Sequence, residues 1–409
     1  IGNSPTLVTS LRLAEKEAGA VASMSVSAFQ VFKAFGVLGL TSFGGPVAHL
    51  GYFQTDIVKN RKWMSEADYA ELVALCQFLP GPASSQVGLG IGYRMAGLPG
   101  ALAAWTGFTL PSALLLGLLG LSVTAFDHSA FDGAMHALKV ITVAVVAQAV
   151  IGMGRSLTPD LPRGLIGLGG VAVALALPGA AGQIAAIVGG ALAGFALPHT
   201  PAPSAETRPL RVPAGALLAF GLFFALLFGL PVAAASFPGL WLELSEIFYR
   251  GGALVFGGGH VVLPLLEASA VPELISQDKF LAGYGAAQAV PGPLFTFAAY
   301  VGAASPGGAL GGVVALLAIF LPGALLVLAA LPVWDGLKHR EGVRRALTGI
   351  NAAVVGILLA ALISPIGMTA LQSFTDVGLA LLVFVLLMAT KVPVWLIVVA
   401  AAGAGAFVF

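Results

Sequence analysis

Long apolar segments recur along the chain and are separated by short polar connections. A bilayer crossing takes about 20 apolar residues, and segments suited to it are predicted at 98–124, 134–154, 163–178, 182–198, 214–235, 308–333, 345–363, 377–390 and 392–408. Four other apolar segments contain Gly and Pro where a helix would break: 28–56, 68–95, 244–266 and 280–304. The pattern predicts an all-α polytopic membrane protein with continuous and broken helices.

Composition supports a membrane protein and excludes several other classes. Of the 409 residues, 58% are hydrophobic and 9% are charged, whereas soluble domains carry roughly 25% charged residues. The net charge of +1 predicts no nucleic-acid partner. Cys76 is the single cysteine, so a disulfide framework is impossible and a buried core thiol is expected. We find no catalytic or nucleotide-binding motif, and we expect no cofactor, no metal and no enzymatic activity.

An internal duplication is visible in two pairs of phrases. "QFLPGPASSQ" (77–86) returns as "QAVPGPLFTF" (288–297), and "LTSFGGPVAHL" (40–50) returns as "ALVFGGGHVVLPL" (253–265). Further matches follow in the same order, which chance similarity does not produce. We therefore divide the chain into an N-terminal arm (1–25), a first repeat (26–198), a loop with a linking transmembrane helix (199–239) and a second repeat (240–409).

Charged residues indicate that the two repeats face opposite ways. Basic residues follow the first Gly-Gly motif (Lys59, Arg61, Lys62), and acidic residues follow the second (Glu267, Glu273, Asp278). Other paired loops exchange sign in the same way. Because cytoplasmic loops are enriched in Lys and Arg, we predict an inverted-topology repeat. The N-terminus and the 199–213 loop are then cytoplasmic, and the linking helix turns the second half over.

The broken segments can be arranged in two ways. If each is a re-entrant hairpin, the loops between them carry the charge expected for their side. If each crosses fully, the loops 57–67 and 267–278 carry the wrong sign. We favour two Gly/Pro-broken re-entrant hairpins and about four spanning helices in each half.

Broken helices at membrane depth predict a site for a small anion. Unwound backbone survives there only where protein or water satisfies it, and helix N-termini bind anions without a formal positive charge. The candidate binding residues of the first half are Gly44, Gly45, Pro46, Gln77, Pro80, Gly81, Pro82, Ser84, Ser85 and Gln86. Those of the second are Arg250, Gly257, Gly258, Gly259, His260, Gln288, Pro291, Gly292, Pro293 and Thr296. The alternative is that these Gly and Pro residues serve helix packing alone.

Four other polar residues are candidates for the anion path or for coupling: Lys33, His49, Lys139 and Asn351. Ionisable groups at membrane depth are costly and often functional. For Lys33 the alternative is a side chain that reaches the interface, and for His49 it is a hydrogen bond to a freed carbonyl. Arg250 has its own alternative, pairing with Glu246 one helical turn away.

The motifs resemble those of the chromate ion transporter family in its long, two-domain form. The residues that carry the resemblance are "FGVLGLTSFGGPVAHLGYF", "CQFLPGPASSQVGLGIGYRMAGLPGALAAWTGFTLPS", "VFGGGHVVLPLL" and "QAVPGPLFTFAAYVG". The resemblance implies secondary active export of chromate across the bacterial inner membrane, and chromate resistance. Sulfate, another oxyanion or a passive anion channel remain as alternatives. The expected partners are chromate and the lipid bilayer, and the oligomeric state stays open with a homodimer as one candidate.

Overall fold

The computed structural model describes residues 26–125, 129–177, 180–197, 212–256, 259–334, 340–390 and 392–408. Every regular element within these ranges is helical, which confirms the predicted all-α class. The N-terminal arm predicted at 1–25 and nearly all of the loop predicted at 199–213 lie outside these ranges, as do Gly257 and Gly258.

The first half is a series of helices interrupted at the predicted Gly and Pro positions. They are α1 (Ala28–Thr41), α2 (Gly45–Phe53), α3 (Glu66–Phe78), α4 (Ala83–Ala125), α5 (Ser129–Leu157), α6 (Leu161–Ala176) and α7 (Ala180–Gly194). A π-helical stretch, Gln54–Asn60, continues α2. The long α4 consists of two helices joined at Ala96 and Gly97, whose backbone is not helical.

The second half repeats this order of helices. It contains α9 (Leu240–Ala253), α10 (Val262–Ala270), α11 (Gln277–Ala287), α12 (Phe297–Ala304), α13 (Gly308–Ala330), α14 (Glu341–Ala361), α15 (Phe374–Ala389) and α16 (Val394–Val408). Short 3-10 turns precede α10 and α12, at Gly259–Val261 and Leu294–Thr296. Together α12 and α13 correspond to the two parts of α4, so each helix of one half has a counterpart in the other.

A single helix links the two halves. This helix, α8 (Ala214–Ser236), has 23 residues and is therefore about 35 Å long at 1.5 Å per residue, enough for the roughly 30 Å of a bilayer core. Only 17% of an apolar 18-residue stretch of this helix is buried within the protein. Leu218, for example, is 73% exposed, as expected for a helix that faces lipid.

The halves are interlocked rather than adjacent. The last two helices of the first half, α6 and α7, pack on α14 of the second. In the reciprocal arrangement, α15 and α16 pack on α5 of the first half. Small residues allow the close approach: a Cβ added to Gly190 would lie 2.7 Å from the Gly349 carbonyl oxygen. Such reciprocal contacts are expected of two halves related by a pseudo-two-fold axis.

Helix length distinguishes two groups among the predicted crossings. The helices long and apolar enough to cross a membrane are Ala83–Val123, Gly133–Leu157, Ala214–Ser236, Gly308–Val333 and Arg344–Ala370. The segments predicted at 163–178, 182–198, 377–390 and 392–408 form helices of 15 or 16 residues, about 22–24 Å long. By length, two helices in each half reach full bilayer thickness, against about four predicted. The short helices occur in pairs, so the predicted orientation of each half is unaffected.

Candidate functional site

The broken helices of the two halves meet and bind each other. The backbone N–H of Gly81, in the first Pro-Gly-Pro turn, donates to the Val255 carbonyl oxygen at 2.7 Å. The N–H of Gly292, in the second turn, donates to the Ser42 carbonyl oxygen at 2.9 Å. Ser42 and Val255 are corresponding residues that precede the two Phe-Gly-Gly motifs. Each Pro-Gly-Pro turn is therefore hydrogen-bonded to the helix break of the opposite half.

Glycine is required at both turns by backbone geometry and by space. Gly81 has φ +119 and Gly292 has φ +96, in the left-handed region that other residues rarely adopt. A Cβ on Gly292 would lie 2.9 Å from Ser112 Oγ and 3.2 Å from the Phe108 carbonyl oxygen. The second turn is thus pressed against the middle of α4.

Two helices of the first half begin at these breaks. α2 begins at Gly45, after the left-handed Gly44 (φ 97), and has Pro46 in its first turn. α4 begins at Ala83, directly after Pro82, as the sequence predicts. In the second half, Leu294 begins a 3-10 turn and the α-helix starts only at Phe297. The N-terminal N–H groups of α2 and α4 have no partner within their own helices.

Buried polar side chains surround the point where Gly292 contacts the first half. We call them the first-half polar cluster: Ser42, His49, Ser84, Ser85, Thr109 and Ser112, all of them buried. His49 Nδ1 lies 3.2 Å from Ser84 Oγ, and the His49 ring packs edge-on against Phe108. The Ser112 hydroxyl donates to the Thr109 carbonyl oxygen at 3.1 Å.

Several polar atoms of this cluster have no hydrogen-bond partner among the residues that the structure describes. They are Ser42 Oγ, His49 Nε2, Ser85 Oγ and Thr109 Oγ1. Burying a polar group without a partner costs about 1–3 kcal/mol, so four such groups in one region are expensive for a purely structural core. Gln86 is similar, because its Nε2 donates to the Pro80 carbonyl oxygen at 2.8 Å while its Oε1 is unpaired.

The corresponding positions of the second half are almost all apolar. Ser42, His49, Ser84, Thr109 and Ser112 correspond to Val255, Val262, Phe295, Phe320 and Gly323. The rings of Phe295 and Phe320 lie 6.0 Å apart and occupy the space that hydroxyls occupy in the first half. Thr296, which corresponds to Ser85, donates its hydroxyl to the Pro293 carbonyl oxygen at 2.6 Å. The polar cluster is therefore a feature of one half only.

Some of the residues predicted for the site lie at this junction. Pro46 adjoins the second-half break, since a Cβ on Gly259 would lie 3.6 Å from its ring. Ser84, Ser85 and His49 belong to the cluster, and Gly81 and Gly292 form its backbone contacts.

Other predicted residues have partners elsewhere. Arg250 pairs with Glu246 at 3.0 Å and donates to Ser269 Oγ at 3.0 Å. His260 Nδ1 lies 2.7 Å from the Tyr284 hydroxyl. Lys139 pairs with Asp278 of the opposite half at 3.0 Å.

The remaining predicted residues have a peripheral or backbone role in this structure. Gln77 is exposed, and Gln288 Nε2 donates to the Tyr284 carbonyl oxygen at 3.4 Å. Lys33 is exposed with its ammonium 4.6 Å from the Phe29 ring centroid, and Asn351 is half-buried in α14. Pro80, Pro291 and Pro293 shape the two turns. Cys76 is fully buried, as predicted.

Sequence reasoning missed three members of the cluster: Ser42, Thr109 and Ser112. A signal was present, because "TLPS" (109–112) in the first half corresponds to "FLPG" (320–323) in the second. Comparing polar against apolar residues between the repeats would have identified these positions.

The fold and the site together define a class: a duplicated, all-helical membrane protein whose broken helices meet at a buried polar centre, the plan of many transporters. The chain belongs to the chromate transporter family, because the family model described as "Chromate transporter" matches residues 29–195 and 242–406. The two matched ranges correspond to the two repeats. It is a family of transporters, not of enzymes.

Curated relatives agree with this family over most of their length. A "Probable chromate transport protein" of Synechococcus elongatus is 28% identical over 390 residues, covering 92% of this chain and 94% of the relative. A "Chromate transport protein" of Cupriavidus metallidurans is 28% identical over 356 residues, covering 85% and 84%. One of Pseudomonas aeruginosa is 28% identical over 397 residues, covering 93% and 92%. No solved structure matches the chain significantly.

Proposed function

We propose that this protein is a secondary active transporter that exports chromate across the bacterial inner membrane and binds the anion at the first-half polar cluster. The observation that carries the proposal is the group of four buried, unpartnered polar atoms beside the helix breaks. They lie in one half only, so one anion site serves the whole chain.

The chemistry of chromate suits this environment. Chromate is a tetrahedral dianion, and its oxygens only accept hydrogen bonds. Hydroxyl groups and free helix N–H groups are donors, and the N-terminal ends of α2 and α4 add the positive end of their dipoles. His49 contributes a further donor if its Nδ1 accepts from Ser84, because Nε2 then carries the ring proton.

Membership of the family and the names of the relatives favour chromate over other cargo. Sulfate has the same shape and charge, so sulfate or another oxyanion is the alternative substrate, and a passive channel is the alternative mechanism. The charge pattern of the loops supports oppositely oriented repeats, re-entrant broken segments and a cytoplasmic 199–213 loop.

An asymmetry between the halves favours a transporter over a channel. Helix α11 of the second half packs against α5 of the first half. There Lys139 pairs with Asp278, and Thr142 Oγ1 donates to the Leu281 carbonyl oxygen at 3.0 Å. Between the corresponding helices α3 and α14, a cavity of about 460 Å³ is lined by Leu75, Phe78, Trp334 and Ile350 among others. One helix pair is in contact while a cavity separates the corresponding pair, as expected of one state in alternating access.

In our orientation, the open side faces the cytoplasm, because α14 begins with Arg344 and Arg345. On this orientation we infer an inward-facing state, in which chromate binds from the cell interior.

Replacing single donors in proteoliposomes tests the proposed site. We expect Ser42→Ala and Thr109→Val to raise the chromate Kd by roughly 10- to 100-fold, since a hydrogen bond to a charged group contributes about 1.5–3 kcal/mol. Thr296→Val is the matched control in the second half. The Thr296 hydroxyl already donates to the Pro293 carbonyl oxygen, so the chromate affinity of this variant should change little.

The outcome that contradicts this site is wild-type affinity in both first-half variants, or an equal loss in the Thr296→Val control. Competition by sulfate in the same assay identifies the preferred oxyanion. Saturable counterflow of labelled chromate distinguishes a transporter from a passive channel.

A further inference from the structure

A cavity with a partly polar lining lies between the two repeats, apart from the first-half polar cluster. Its volume is about 400 Å³, and its polar lining residues are Gln183, Glu267, Gln277 and Ser364. Gln183 comes from α7 of the first half, whereas the other three come from the second half. None of the residues that line this cavity belongs to the first-half polar cluster.

Glu267 is a buried carboxylate without a cationic partner. Its residue is 5% exposed, and Gln277 Nε2 donates to its Oε1. No ion pair joins it to any residue in the described part of the chain. A buried carboxylate is normally paired with a cation, because desolvation otherwise disfavours the charged form.

Within the described ranges, no charged side chain on a neighbouring helix forms an ion pair with Glu267. The charged or titratable residues on the elements packed against α10 are Glu243, Glu246 and Arg250 on α9, His260 in the preceding turn, Asp278 and Lys279 on α11, and Glu341, Arg344 and Arg345 on α14. Arg250 pairs with Glu246, and Asp278 pairs with Lys139. The charged residues of α14 lie at its beginning, while its end, Ile357–Ala361, lines the cavity. The described part of α7 has no charged side chain.

Gln183 supplies an acceptor to the same cavity. Its Nε2 donates to the Pro264 carbonyl oxygen at 2.7 Å, one helical turn before Glu267. Its Oε1 is buried and has no hydrogen-bond partner in the described part of the chain. The cavity therefore contains a carboxylate that has no cationic partner and an amide oxygen that has no hydrogen-bond donor among the described residues.

We propose that Glu267 binds the proton that couples chromate transport to a proton gradient. This inference rests on the proposed function, since it adds a driving ion to the same transport cycle. Proton binding neutralises a buried carboxylate in a cavity built by both repeats. The packing of α10 against α7 then differs in energy between the protonated and the charged states, which links protonation to the relative position of the repeats.

Electrostatics supports this assignment. Glu267 lies outside every helix long or apolar enough to cross the membrane. Burial raises the pKa of its carboxyl to about 7, although the hydrogen bond from Gln277 lowers it in part. The group is therefore mostly neutral below that pH and mostly charged above it, so it can take up and release a proton near neutrality.

The test compares two assays on purified full-length protein in proteoliposomes: chromate counterflow at equal pH, and net chromate transport driven by a pH gradient of either direction. We expect wild-type protein to perform both. Glu267→Gln should retain counterflow and lose the response to the pH gradient. Glu267→Asp should keep the response with a shifted pH profile. Glu273→Gln is the matched control, because Glu273 is an exposed carboxylate on the same connection, and it should behave as wild type.

Two kinds of result overturn the inference. The first is evidence against proton coupling through Glu267. Either the Glu267→Gln variant still responds normally to the pH gradient, or transport by the wild-type protein responds to a Na⁺ gradient and not to a pH gradient. The second is loss of counterflow together with the pH response, because Glu267 would then be needed for folding or for anion passage. Absence of counterflow in the wild type contradicts the proposed transport function itself, so the two failures are distinguishable.

Discussion

At the residue scale, Gly292 is a point where the second half contacts residues of the proposed anion site. Its N–H binds the carbonyl of Ser42, and its α-carbon faces Ser112. Its neighbours on either side are prolines, which fix the backbone around a left-handed φ. One residue thus joins the second-half turn to the hydroxyl groups of the first half.

Substitution of this glycine should therefore impair both stability and transport. Gly292→Ala places a Cβ 2.9 Å from Ser112 Oγ at a φ of +96, and such strain costs about 1–3 kcal/mol. We expect a lower unfolding temperature in detergent and weaker chromate binding. The matched control is Gly117→Ala in α4, where a Cβ meets nothing within 4 Å. Equal behaviour of the two variants would show that the tight turn is not required.

At the element scale, the sequence predicts the helix breaks better than the number of helices long enough to cross the bilayer. Gly and Pro mark the ends of α3 and α11 and the start of α4 correctly, because their backbone limits are local properties. Helices α6, α7, α15 and α16 have 15 or 16 residues, close to the segments predicted for them but shorter than the roughly 20 residues of a bilayer crossing. How such short helices are accommodated depends on tertiary packing, which no local pattern records.

The site residues show the same contrast: those next to a local motif were predicted, and those brought together by tertiary contacts were not. Ser84 and Ser85 were found because they follow a Pro-Gly-Pro turn. Ser42 and Ser112 were missed because they come together at Gly292 of the opposite half, a tertiary contact that no local pattern records. Glu267 was interpreted as a loop charge, since its burial depends on α7, far away in the chain.

At the scale of the whole molecule, the interlocked halves suit the proposed transport cycle, because alternating access could proceed by exchange of two sets of helix contacts. α11 packs on α5, and a cavity separates α3 from α14. The two-fold relation predicts a second state in which α3 closes on α14 while α11 leaves α5. Both states use equivalent helix pairs, so their energies need differ by only a few kcal/mol.

Locking the closed pair should stop the cycle. In a Cys76→Ala background, we expect Lys139→Cys with Asp278→Cys to transport chromate until a short thiol cross-linker joins α5 to α11. These side chains lie in contact across the halves. Each single-cysteine variant treated with the same linker serves as control. Full transport by the cross-linked protein would rule out the exchange.

The central claim is that chromate binds beside the helix breaks of the first half, and locating chromium tests it most directly. Anomalous diffraction at the chromium absorption edge, from crystals of the protein grown with chromate, marks the anion without interpretation of its shape. We predict one peak within hydrogen-bonding reach of Ser42, Thr109 and the N-terminus of α2. A peak beside Phe295 and Phe320 in the second half, or one remote from both Pro-Gly-Pro turns, would contradict the account.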